Sequence, residues 1–161
     1  MPQLVVHDPD YVLVFFYVLL SITSLMLEVI WMKNLIKLEE FALFIFAIYL
    51  FTLLDFSWWV FPLLLLTPDL GALGYLAGPE VGATTYNLTH HKGLAILFYL
   101  VGVLIASQVL QLVGVIMLAH SSIDRVFGYG FKYPDSFDHT HLGWIGKSKK
   151  ARMEETTTEV A

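Results

Sequence analysis

Cysteine is absent from this 161-residue chain, which excludes disulfides and thiolate metal sites and leaves the redox compartment unreadable. Charge is scarce: 14% of residues are Asp, Glu, Lys or Arg, against 57% hydrophobic. Residues 1–32 hold no Lys or Arg. No general basic face exists, so nucleic acid is not an expected partner. The start lacks a basic n-region and its apolar run is too long for an h-region, so it reads as a retained span, not a cleaved signal. HExxH, P-loop, GxSxG and GxGxxG patterns are all missing, and no internal repeat is found.

What is present is apolar length. The mean hydropathy is +0.70, an excess that a soluble core of this size does not need. Five segments approach the ~20 residues that cross a bilayer as a helix: about 11–32, 38–54, 58–77, 84–106 and 108–128. The fold class is therefore all-α, a polytopic membrane bundle of about five helices. Lys33 and Lys37 separate the first two segments, Asp55 to Ser57 the next, Gly78-Pro79 the third from the fourth, and Ser107-Gln108 makes the last hairpin. Lys and Arg cluster at the first of these turns and after Arg125, so the positive-inside rule places the N-terminus outside and the C-terminus in the cytoplasm. The cell membrane is the expected location, with membrane lipids as partners. The tail after Gly130 is polar and aromatic, and its end is expected to be disordered.

Ionisable residues inside hydrocarbon are costly and by default signal a functional site. Here they are Asp69, His90, His91, His120 and Asp124. At ~1.5 Å rise per residue, Asp69 lies roughly 12 Å from the inner end of the third segment, and His90 roughly 9–10 Å into the fourth. By the same rise His120 lies roughly 10 Å from the inner end of the fifth. Three helices thus bring polar groups to one depth on the cytoplasmic half. Asn87, His90 and His91 stand at i, i+3 and i+4 and should share a face, as should His120 and Asp124. Imidazole and carboxylate without thiols suit zinc, iron or manganese, with Asp69, His90 and His120 as ligands. Asp124 could join them or orient His120. His139 and His141 could fold back from the tail. The plain alternative is hydrogen bonding between helices.

Pro68 removes a backbone donor and disfavours helix at Thr67, so a break in the third helix is expected there. Gly71 and Gly74 beyond it permit close helix contact. Arg125 could snorkel to headgroups or bind an anionic substrate group. Six histidines in all, without HxxxH or HxxHH boxes, exclude a desaturase-type centre.

Several short motifs in order carry a resemblance. They are Pro68-Asp69-Leu70, Leu73-Gly74-Tyr75-Leu76-Ala77-Gly78-Pro79, Tyr86-Asn87-Leu88-Thr89-His90, Ala119-His120, Asp124-Arg125, Lys132-Tyr133-Pro134 and Thr140-His141-Leu142-Gly143. Over roughly residues 35–147 the chain resembles the domain of unknown function 4260 family of small integral membrane proteins. The resemblance implies a four-helix core at 35–147, with 1–34 as an added N-terminal span and 148–161 as a disordered tail. It implies no activity. By motif it singles out Asp69, Asn87, His90, His120, Asp124, Arg125 and His141.

The sharpest expectation is an enzyme: a divalent metal on Asp69, His90 and His120 activates water against a membrane-associated ester or phosphoester. Asp124, Arg125 and His141 would serve catalysis, and Asn87 would contact substrate or support the ligands. The rivals are an ion or proton transporter, which at this size needs a homo-oligomer, and a non-catalytic structural or assembly protein.

Overall fold

The computed structural model describes residues 9–146, 148 and 151. All its long elements are helices: α1 (Pro9–Thr52), α2 (Val60–Leu64), a 3-10 helix (Thr67–Ala77), α3 (Pro79–Thr89), α4 (Lys92–Leu104) and α5 (Gln108–Phe127). Two short strands, β1 (His139–Thr140) and β2 (Gly143–Trp144), pair antiparallel. The chain forms two compact units, Met1–Ile36 and Lys37–Ala161. In the first, every residue from 13 to 36 is exposed on a single apolar helix.

The expected turn at Lys33–Lys37 does not form; α1 runs through it. The segment Lys33-Asn34-Leu35-Ile36-Lys37 contains neither Gly nor Pro, so nothing ends the backbone ladder there. The expected fourth span is also divided. Helix α3 already starts at Pro79, which occupies the first turn where its missing N–H costs nothing. It stops at Thr89, and His91 caps α4 by accepting from the Leu94 N–H at 3.2 Å. The described residues hold three helical stretches long and apolar enough to cross a membrane: Leu13–Thr52, Val60–Ala77 and Gln108–Phe127. The expected disordered end and the basic residues Lys147, Lys149, Lys150 and Arg152 lie outside the described residues.

The break near Pro68 does form, and beyond it the chain is tighter than an α-helix. Runs of 3-10 helix beyond three or four residues are uncommon, yet this one has 11. The sequence explains it through a period of three. Leu70, Leu73 and Leu76 form one exposed stripe, while Pro68, Gly71, Gly74 and Ala77 form another of small residues. The small stripe lets α3 approach closely: a Cβ on Gly74 would lie 2.1 Å from Thr85 Oγ1. Thr85 Oγ1 instead donates to the Gly71 carbonyl at 2.6 Å.

The core packs α5 between the end of α1, α2 and α4. Phe51 and Phe61 meet edge to face at 5.2 Å, and Ala47, Ala95, Val115 and Ala119 are fully buried with them. At one end Gln108 and Asp55 are joined twice, by Asp55 N–H to Oε1 at 3.0 Å and by Nε2 to Oδ2 at 2.7 Å. Glu40 and Lys92 form an ion pair elsewhere in the unit.

Candidate metal centre

Asp69 comes from the first turn of the 3-10 helix, His90 from the C-cap of α3, and His120 and Asp124 from adjacent turns of α5. One ligand atom from each lies within 4.8 Å of all the others. His90 Nε2 and His120 Nε2 are 3.0 Å apart. Asp69 Oδ1 lies 3.5 and 3.3 Å from them, and Asp124 Oδ2 lies 3.5 and 3.6 Å from them. Bonds of roughly 2.0–2.2 Å to a tetrahedral ion would set neighbouring ligand atoms about 3.3–3.5 Å apart. The donor set therefore fits a divalent ion.

Tautomer control points the same way. His90 Nδ1 is 2.8 Å from the Tyr86 carbonyl, an oxygen that only accepts, so Nδ1 carries the proton and Nε2 presents its lone pair. Tyr86 also stacks on the His90 ring at 3.7 Å, and its hydroxyl donates to Asp124 Oδ2 at 3.2 Å. One tyrosine thereby orients two of the four groups. With neutral imidazoles the four side chains carry two negative charges beside two rings that are almost wholly buried. Such a group lies within reach of a single metal ion.

The other expected site residues lie elsewhere. Asn87 faces away from the cluster and clamps the tail: its Nδ2 donates to the Lys132 carbonyl at 2.9 Å, and its Oδ1 accepts the Lys132 N–H at 2.7 Å. Asn87, His90 and His91 do not share a face, because α3 ends between them. His91 is spent on its cap and a stacking contact with Phe131. Arg125 donates to the Tyr129 carbonyl at 2.8 Å and lies over the Phe131 ring at 4.4 Å. His141 accepts the Phe131 N–H at 2.8 Å and stacks on that ring; burial, then Arg125, lower its pKa. His139 pairs with Asp135 at 2.7 Å between Tyr133 and Trp144, and that bond holds the Asp135 carboxyl below its ordinary range. Neither tail histidine joins the ligand group.

Two residues of the site escaped the sequence reading. Tyr86 was legible in principle, since it precedes His90 by four on one helix and must lie over it. Lys132 was not. It is 4% exposed, with its ammonium 3.9 Å from the Phe137 ring centre and 5.1 Å from that of Tyr86. It belongs to none of the ion pairs among the described residues. Burial pushes its pKa down, against the pull of Asp138, Asp124 and Asp69.

No curated protein and no solved structure matches the chain. The family described as Domain of unknown function (DUF4260) matches residues 33–145, which include all four cluster residues, Tyr86 and Lys132. The chain belongs to the DUF4260 family.

Proposed function

We propose that this protein is an integral membrane hydrolase that uses a divalent metal, zinc, iron or manganese, on a membrane-associated ester or phosphoester. The convergence of Asp69, His90, His120 and Asp124 carries the reading. Held by these residues, a divalent ion would supply Lewis-acid activation of water, the nucleophile that no Ser or Cys motif provides. His90 and His120 hold the ion from the protein side, and Tyr86 fixes both His90 and Asp124. Asp69, with 52% of its side chain exposed, forms the side open to substrate and water. Water adds across the ester, releasing an acid and an alcohol.

The test is metal analysis of full-length protein purified in detergent without chelator. About one ion per chain is expected, falling to near zero in His120→Ala and Asp69→Asn with helicity retained. A wild type without metal overturns the reading.

The inward turn at Lys33–Lys37 that also put the N-terminus outside does not form; the proposed orientation keeps the C-terminus cytoplasmic. The Lys and Arg distribution supports it, and so does the Asp55–Gln108 pairing, which joins two turns assigned to the outer face. A second reading, ion or proton transport through a homo-oligomer, draws on the helix interruptions beside Asp69 and His90. Flux into liposomes that depends on Asp69 would favour it.

A further inference from the structure

An apolar groove of about 360 Å³ runs along α5, and its lining includes Pro68 and Thr89, the chain neighbours of two residues of the candidate metal centre. Its floor on α5 is Val109, Leu112, Val113, Ile116 and Met117. These recur at i, i+3, i+4, i+7 and i+8, and the same face continues to His120 at i+11. Val109 is 66% exposed and Met117 9%, so the groove deepens toward the histidine. Its opposite wall includes Pro68 and Thr89, the chain neighbours of Asp69 and His90. The two hydroxyls in the lining are already spent: Thr67 Oγ1 donates to the Leu64 carbonyl at 2.7 Å, and Thr89 Oγ1 to the Tyr86 carbonyl at 2.9 Å. The groove therefore offers carbon only. From Val109 to His120 the helix rises roughly 16 Å, room for a long hydrocarbon chain.

The order continues past the histidine. Asp124 is the next turn of α5, Tyr86 bonds to it, and the buried Lys132 ammonium stands over the Tyr86 ring, outside every ion pair among the described residues. Carbon groove, candidate ligands and buried cation thus adjoin one another through Pro68 and Thr89 on one side and Tyr86 on the other. An amphiphile with one hydrocarbon chain and an anionic head has that sequence of chemistry.

Resting on the metal-hydrolase reading, the geometry points to an anionic lipid as the substrate, with one acyl chain in the α5 groove, its scissile linkage at the His/Asp cluster and its anion at Lys132. The groove sets chain specificity and Lys132 sets head-group charge.

The experiment uses full-length protein in phosphatidylcholine vesicles and a hexadecyl phosphate probe with a diazirine at mid-chain, photolysed and mapped by mass spectrometry. Label is expected to concentrate on residues 109–117 and beside Pro68. Val113→Trp, which fills the groove from a half-exposed position, should cut that label by about tenfold, equivalent to 1.4 kcal/mol. Val109→Trp should do the same from the outer end. Lys132→Met should reduce it severalfold for hexadecyl phosphate and leave an uncharged hexadecanol analogue unchanged. In every variant metal per chain should stay at the wild-type value. Label spread over all exposed apolar helix faces and indifferent to Val113→Trp would mean annular lipid only and would overturn the inference. Label insensitive to Lys132→Met would overturn the anionic head. Failure of the hydrolase reading shows separately, as absence of metal in the wild type whatever the labelling.

Discussion

Helices α1 and α5 are both long and apolar enough to cross a membrane, and they use that property differently. Residues 13–36 of α1 are exposed on every side, whereas residues 114–122 of α5 are nine consecutive buried positions. The buried stretch is the more polar one, holding His120, Ser121 and Ser122. Lipid accepts an all-apolar surface without demanding any partner for it. His120 Nδ1, Ser121 Oγ and Ser122 Oγ have no hydrogen-bond partner among the described residues, a cost that an all-apolar stretch would not carry. Hydropathy therefore finds both helices, but buried polarity finds the one that carries two residues of the candidate site.

The largest effect that would break this contrast comes from packing. Gly114 of α5 has no room for a side chain: a Cβ would lie 2.5 Å from the Ala95 carbonyl oxygen and 2.6 Å from the Tyr99 nitrogen, both backbone. Gly114→Leu should force α4 from α5 and cost on the order of 3 kcal/mol. Leu25→Ala, at a 61% exposed position of α1, should change stability by no more than about 0.5 kcal/mol. Thermal unfolding in one detergent measures both, and equal losses would dissolve the distinction.

A smaller effect sharpens it. Tyr86→Phe keeps the ring on His90 and removes only the hydroxyl that donates to Asp124. Metal affinity should fall by roughly ten- to a hundredfold, the usual cost of losing a group that orients a ligand. Competition with a metal-sensitive dye reads this out, with circular dichroism unchanged.

The smallest effect lies in the tail. The folded protein holds His141 below the ordinary histidine pKa, so its neutral form contributes stability above ~6.5 that is lost as pH falls through the lowered value. Protonation removes the lone pair that accepts the Phe131 N–H. Hydrogen exchange at the Phe131 amide should lose protection on acidification once corrected for intrinsic rate, and His141→Ala should show no such step. Unchanged protection down to pH 5 would separate His141 from the tail's anchoring.

Part of the site could be read before any fold was known. Asp69, His90 and His120 were placed at matching depths by helical rise alone, and the structure brings them together although two of their helices end at different residues. The divided fourth segment was hidden because no Gly or Pro marks its break. There the cap is His91, a residue that also reads as a ligand. The contact Asn87 makes was hidden for a related reason: its partner is the Lys132 backbone, 45 positions away.

Composition and periodicity by themselves determined an all-helical, membrane-compatible chain, an interruption at Pro68 and a short set of ionisable side chains with no lipid-side explanation. Those properties follow from local quantities: transfer free energy, rise per residue and the missing N–H of proline. Only the tertiary structure decided that Asp124 stands among the ligands, that the Tyr86 hydroxyl reaches Asp124 and that Lys132 is buried outside every ion pair among the described residues. Each depends on contacts between residues 30 or more positions apart, whose geometry is set by how closely helices approach. That approach is governed by Gly71, Gly74 and Gly114, where the absence of a side chain has consequences only once a neighbour is in place.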